Sequence, residues 1–288
     1  MKSSRQVKDL IKNMSKQKGI HAQLLLRNYM FERLLERIAY SDFNQHFVLK
    51  GGVLVASLIG VDLRSTMDMD ATIQGYPMNR EAIEKAFLDI VAIPLEDGVT
   101  LSVEKVEPIR DEAEYNGFRL SILAQMNQVR LPLKMDLTTG DKITPKKIQY
   151  HYQLLLEERK IDILAYTIET VLAEKLETMI YRGTANTRLR DFYDISALFS
   201  TQEENLLDGQ VKKALLSTAN HRGSVGLLEE SDALIQEKIQ TYQPKAICFV
   251  SKGEYKEYSK KRSIHTWAVR MNQLYQSPLS TFVFQLVV

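Results

Sequence analysis

The sequence predicts an α+β protein, a small mixed β-sheet flanked by helices and followed by a mostly helical C-terminal lobe. Three observations carry that expectation. Residues 68–73 and 131–138 alternate apolar and polar side chains with the period of half-buried strands. Residues 169–182 and 188–199 instead gather their apolar side chains on one face of a helix. A hydrophobic content of 44% over 288 residues is enough to bury a sizeable core in two lobes.

The first segment, 1–43, reads as two helices over about 5–18 and 20–40. Met1-Lys2-Ser3-Ser4-Arg5 leads into a charged amphipathic helix with no apolar segment of the signal-peptide kind. Lys2, Arg5, Lys8, Lys12, Lys16 and Lys18 make it basic, as do Lys252, Lys256, Lys260, Lys261 and Arg262 near the C-terminus, where Tyr255, Tyr258 and Trp267 are interleaved. Such patches suit a nucleic-acid backbone and unpaired bases, and they also suit a plain solvated face. Net charge over the whole chain is only +2, so the distribution says more than the sum.

A core is expected over 44–145. The apolar patch Phe47-Val48-Leu49 meets Lys50, then Gly51-Gly52, then a helix-compatible run to Leu58. A double glycine before a helix allows close backbone approach and presents N–H groups at a helix N-terminus, a geometry that suits phosphate. The same pair also serves as an ordinary turn. The next strand carries Asp68, Asp70 and Thr72 on one side, with Met69, Ala71 and Ile73 on the core side. Two carboxylates this close repel unless a cation lies between them, and hard oxygen ligands on a rigid strand suit Mg²⁺. Residues 118–124 and 131–138 read as an antiparallel hairpin turning at Asn127-Gln128, with Lys134, Asp136 and Thr138 on its polar face.

Gly140-Asp141 opens an expected linker containing Pro145, and the helical lobe is placed over 146–288. On the helix 169–182, Lys175 lies about 60° from Leu172 at the border of the buried stripe, free to snorkel to solvent or to reach into a cleft. Glu174 points away, and Gly183 is placed as a C-cap. On the helix 188–199, Asp191 falls inside the apolar arc and Asp194 at its edge. A carboxylate there needs a partner, and Arg188, Arg190 and Lys175 are the candidates. A further helix is expected over 229–242, and the apolar end 281–288 is β-prone. The single cysteine, Cys248, excludes an internal disulfide and a cysteine-rich zinc site, and the five histidines show no ligand spacing. No apolar run reaches membrane-spanning length, which together with the N-terminus leads us to expect a cytoplasmic protein.

The ordered set Gly51-Gly52, Arg64-Ser65-Thr66-Met67-Asp68-Met69-Asp70 and Lys134-Met135-Asp136 resembles the DNA polymerase β-like nucleotidyltransferase superfamily. With Ala173-Glu174-Lys175 and Arg188-Leu189-Arg190-Asp191-Phe192-Tyr193-Asp194 added, it is similar more narrowly to the AbiEii/AbiGii toxins of bacterial abortive infection, over about 45–200. That resemblance implies a nucleotidyltransferase core and a toxin of a type IV toxin–antitoxin pair active in phage resistance. It would move a nucleotide from an NTP to an RNA acceptor, tRNA first among them. Asp68 and Asp70 would bind two Mg²⁺ ions, or Mn²⁺ in their place, and Asp136 would complete the metal shell or act as base. Gly51, Gly52, Lys50, Arg64, Ser65 and Lys175 would hold the nucleotide, with Asp191 and Asp194 in the active site as base or as the groups orienting Lys175. The cognate antitoxin would be a transcriptional repressor that does not stably bind the toxin. A protein acceptor, or a non-catalytic NTP-binding module on the same fold, are the alternatives.

Overall fold

A computed structural model describes residues 3–64, 66–109, 117–182, 188–202, 206 and 209–229. Ser65, Gly183, the expected helix beyond Glu229, Cys248, the basic aromatic stretch and the apolar end lie outside these residues. The chain divides into two compact units, Met1–Thr167 and Ile168–Val288.

In the first unit the elements run α1 (Ser4–Lys18), α2 (Ala22–Tyr40), β1 (Phe47–Lys50), α3 (Gly51–Ile59), β2 (Asp68–Ile73), α4 (Arg80–Ala92), β3 (Thr100–Pro108), β4 (Gly117–Met126), β5 (Val129–Thr139), β6 (Ile148–Gln153) and β7 (Lys160–Ala165). The seven strands form one sheet in the order β3-β4-β5-β2-β1-β7-β6. β2 lies parallel to β5 and β1 parallel to β7, while the other neighbours are antiparallel. One face is apolar: Leu49, Met69, Ala71, Ile73, Leu120, Ile122, Leu133, Met135 and Ile163 are buried there, in contact with α2 and α4. Each such side chain contributes roughly 1.5–3 kcal/mol of burial, which fixes the register because a one-residue slip would turn them all to the other side.

α1 begins with a reciprocal Ser3–Gln6 capping box and ends at Gly19 in the left-handed conformation. It packs on α2, and its own buried side chains are Val7 and Ile11. The Asn127 side chain donates to Ser4 Oγ at 2.7 Å, and Lys18 pairs with Asp62 at 3.3 Å. The helix therefore runs from the tip of the β4–β5 hairpin to the loop that precedes β2.

Two expectations of domain organisation are corrected. The N-terminal helices are not a segment apart: α2 is buried almost continuously from Arg27 to Ile38 and touches β5, β7 and α4. Its buried charges explain how a polar-looking helix can be central, since Arg33 meets Glu36 at 2.7 Å and Arg37 meets Asp97 at 2.8 Å. The boundary expected at 145/146 moves to 167/168, because β6 and β7 complete the sheet. β7 takes its place beside β1 through a parallel pairing of Val48 with Leu164 that local sequence does not announce.

The second unit contains α5 (Ile168–Arg182), α6 (Leu189–Gln202), α7 (Gln210–Arg222) and α8 (Val225–Glu229). Leu172, Leu176 and Ile180 of α5 are buried, as are Ile195, Leu198 and Phe199 of α6 and Leu215 of α7. α5 packs on both α6 and α7. Arg222 ties α7 to α5 through Glu177 at 2.6 Å and Glu174 at 3.2 Å, which gives Glu174 a partner of its own.

Candidate active site

Strand register assembles a row of charges from four strands. Lys50 of β1 stands beside Asp70 of β2, Asp70 beside Asp136 of β5, and Asp136 beside Arg119 of β4. Asp68 lies two residues before Asp70 on the same face and is exposed, whereas Asp70 is half-buried. The three expected carboxylates therefore do share one side of the sheet. Their order across the strands is plus, minus, minus, plus.

The double glycine works directly on Asp70. Gly51 has φ +66, and a Cβ there would stand 2.1 Å from Asp70 Oδ2. The Gly52 N–H donates to the Asp70 carboxylate, and a Cβ at Gly52 would stand 2.6 Å from Thr66 Oγ1 and 3.3 Å from Arg64 Nη2. The start of α3 thus receives a carboxylate of the protein itself, where the sequence suggested an open phosphate cradle. Arg64 is buried against the same backbone. Burial pushes the Asp70 carboxyl up from its ordinary range, and Asp136 and Asp68 push in the same direction, with Lys50 and the Gly52 N–H opposing. A divalent cation would relieve that strain.

Lys50 does not reach toward open solvent. Its ammonium donates to Asp141 Oδ2 at 2.6 Å and lies 5.6 Å from the ring centre of Tyr166. Asp141 also accepts from Thr138 Oγ1 at 2.8 Å and from Thr72 Oγ1, and Thr72 meets the Tyr166 hydroxyl at 2.7 Å. Burial works against charge on Asp141, but Lys50 and the two threonines outweigh it and hold the carboxyl at about 2. Asp141 thus belongs to the bonded surroundings of the candidate site, whereas the sequence placed it in a linker. Thr72 and Thr138, two hydroxyls on the polar face beside Lys50, were the available signal.

Arg119 was also missed. Its Nε donates to Asp136 Oδ1 at 2.7 Å and its Nη2 to Oδ2 at 2.6 Å, a bidentate fork that occupies both oxygens. Among the described residues no group of three or more His, Cys, Asp or Glu is arranged to hold a metal ion. The donor chemistry nevertheless fits Mg²⁺ or Mn²⁺ at Asp68 and Asp70, hard carboxylate oxygens on adjacent same-face positions. Asp136 spends one lone pair of each oxygen on Arg119, so it is less available to a cation until Arg119 moves.

In the second unit Lys175 Nζ donates to Asp191 Oδ1 at 2.9 Å and to Asp194 Oδ2 at 2.7 Å, and Arg188 meets the other oxygen of Asp191 at 3.1 Å. Asp194 is fully buried and Asp191 nearly so, with Lys175 at 14% exposure. The sequence motif is thus an internal ion cluster in which the two aspartates orient the lysine.

Residues 33–261 match the family model described as the nucleotidyl transferase AbiEii toxin of type IV toxin–antitoxin systems. No curated protein matches the sequence significantly. Among solved structures the chain is similar to JHP933 from Helicobacter pylori, at 13% identity over 88% of this chain and 97% of the other, with a TM-score of 0.45. It is similar also to MenT4, a nucleotidyltransferase toxin from Mycobacterium tuberculosis, at 14% identity over 73% of this chain and 68% of the other, with a TM-score of 0.48.

Proposed function

Because the chain belongs to the AbiEii family of nucleotidyltransferase toxins from type IV toxin–antitoxin systems, we propose that it transfers a nucleotide from an NTP to RNA, with tRNA as the acceptor of choice. The observation that carries this reading is the row in which Asp68, Asp70 and Asp136 share one face beside the Gly51-Gly52 turn. In the transfer, an acceptor hydroxyl oxygen bonds to the α-phosphorus, the bond from that phosphorus to the bridging oxygen breaks, and pyrophosphate leaves. Asp68 and Asp70 would hold Mg²⁺, or Mn²⁺, which when bound supplies charge stabilisation on the phosphoryl oxygens. Gly51 and Gly52 keep Asp70 in place, and Asp141 keeps Lys50 beside it. Asp136 either completes the cation shell or takes the proton of the acceptor hydroxyl. Lys175 gives two of its three N–H donors to Asp191 and Asp194 and keeps one for a phosphate oxygen.

RNA as acceptor draws support from α1. Arg5, Lys8, Lys12 and Lys16 are all exposed and fall within roughly 80° of the helical wheel over about 16 Å. They form a stripe of cations suited to a phosphodiester backbone. Cytoplasmic placement accords with that acceptor, as does the lack, among the described residues, of a helix long and apolar enough to cross a membrane. A cognate antitoxin belongs to the family's biology, and we take it to be a transcriptional repressor rather than a tight binding partner.

The test is incubation of purified protein with each labelled NTP, Mg²⁺ and total cellular RNA. Label is expected in the RNA fraction with release of pyrophosphate, and Asp70→Ala is expected to abolish both while keeping the wild-type melting curve. Full transfer by Asp70→Ala would refute the assignment, and label in a protein fraction would move the acceptor to a protein.

A further inference from the structure

Three carboxylates on one face call for a cation, and within the row Arg119 bonds one of them, Asp136. Both oxygens of Asp136 are engaged by its Nε–Nη2 edge, the same edge that binds phosphate in bidentate fashion. The charges of Asp68 and Asp70 act on Arg119 as well. Arg119 is 46% exposed and Asp136 only 20%, so the guanidinium has room to move while the carboxylate stays on its strand. The pair is partly open to solvent, which screens what its bidentate geometry contributes, and a triphosphate offers Arg119 a replacement of equal chemistry and higher charge. Lys50 cannot substitute, since Asp141 holds it.

We propose that the Arg119–Asp136 pair is a latch on the cation site: the triphosphate of the incoming nucleotide draws Arg119 off Asp136, and Asp136 then joins Asp68 and Asp70 as the third carboxylate. The inference rests on the nucleotidyltransferase reading of this site. Its consequence is that nucleotide and divalent cation bind cooperatively, each improving the other by the same factor. The resting protein then discriminates against cations that arrive without a nucleotide.

The test is a cycle of variants, Arg119→Met, Asp136→Asn and the pair together, read by Mn²⁺ binding to the full chain without nucleotide, using the electron-spin signal of free Mn²⁺. Freeing Asp136 in Arg119→Met is expected to tighten Mn²⁺ binding by about tenfold or more, opposite in sign to the roughly 10–100-fold loss that follows removal of a group which merely orients a metal ligand. In wild type Asp136→Asn is expected to leave Mn²⁺ affinity nearly unchanged, because that carboxylate is latched. In the double variant the gain is expected to vanish. Arg119→Met is also expected to raise KM for NTP at saturating Mn²⁺, through loss of the phosphate contact. Arg119→Lys, which keeps the charge and loses the fork, guards against a folding artefact and is expected to fall between the two. Unchanged, weaker or undetectable Mn²⁺ binding by Arg119→Met overturns the latch. So does a gain that survives Asp136→Asn, which would reflect only the removal of a positive charge. Failure of the underlying reading would look different: no NTP would shift the melting temperature of wild type with Mg²⁺ present.

Discussion

Replacing Gly51 by alanine separates backbone strain from damage to the site. Gly51 has φ +66, and an alanine held there pays about 1–2 kcal/mol for the left-handed conformation. In a domain of this size that corresponds to a drop of roughly 2–8 °C in melting temperature. A second cost is local. The new methyl would stand 2.1 Å from Asp70 Oδ2 and 2.7 Å from its Cβ and Cγ, so the side chain must give way. Restoring ordinary contact of about 3.5 Å moves the oxygen by roughly 1.4 Å, and a misplacement of about 1 Å at a reacting centre costs on the order of a hundredfold in rate. Gly98 supplies the control, since its φ is +68 and nothing lies within 4 Å of a Cβ there. Gly98→Ala should therefore lower the melting temperature and spare activity, while Gly51→Ala should lower both. Thermal unfolding followed by circular dichroism and NTP-dependent labelling of RNA measure the two effects. A Gly51→Ala protein as active as Gly98→Ala would refute the close approach of Gly51 to Asp70.

Two further outcomes are expected. The Asp141 carboxyl is held at about 2 against an ordinary 3.8, so its stabilisation of about 2 kcal/mol is complete above pH ~4 and is lost as pH falls toward 2. Asp141→Asn should accordingly be less stable than wild type at pH 7, with the gap in urea midpoint closing between pH 4 and 2; a gap independent of pH would contradict the Lys50–Asp141 assignment. Lys175→Met removes the ammonium that bonds both Asp194, at 0% exposure, and Asp191, at 6%, leaving Asp191 its contact with Arg188; loss of one partner of a buried pair costs about 3–5 kcal/mol, visible as a lowered helix melting temperature. Adding Asp194→Asn should recover part of that loss, and an unaltered Lys175→Met melt would sink the cluster's structural role.

Much of the site was legible because a strand has period two. Asp68 and Asp70 had to share a face, and the alternation over 131–138 put Asp136 on a polar face before any partner strand was known. Helical wheels put Asp191 inside the apolar arc and Asp194 at its edge, leaving Arg188, Arg190 and Lys175 as candidate partners, of which the structure gives Asp191 both Lys175 and Arg188. The hairpin turn at Asn127-Gln128 also contained more than was taken from it: counting back along both strands from a two-residue turn sets Arg119 opposite Asp136, as the register shows. Asp141 was harder, since it follows the strand at Gly140 and acquires meaning only when Thr72, Thr138 and Lys50 arrive from three other strand positions. β6 and β7 escaped for a related reason. β7 gains its place only when β1 offers it a parallel edge, and β6, the short strand beside Pro145, only when β7 pairs with it. α2 was set apart with the N-terminal segment because the partners of its buried charges lie far along the chain: Glu157 for Arg33, Arg159 for Glu36 and Asp97 for Arg37.

The plus-minus-minus-plus row also sets when the proposed centre can exist during synthesis. Lys50, Asp70, Arg119 and Asp136 come from separate stretches of chain and meet only through β1, β2, β4 and β5. Ribosomes adding ~5–20 residues per second separate the emergence of Lys50 from that of Asp136 by roughly ten seconds, and long-range strand pairing of this kind is slow to form. Until then the nascent chain carries loose acids and loose cations but no centre. The proposed centre is therefore absent until β5 has emerged and paired with β2, and the topology that assembles the row also delays it.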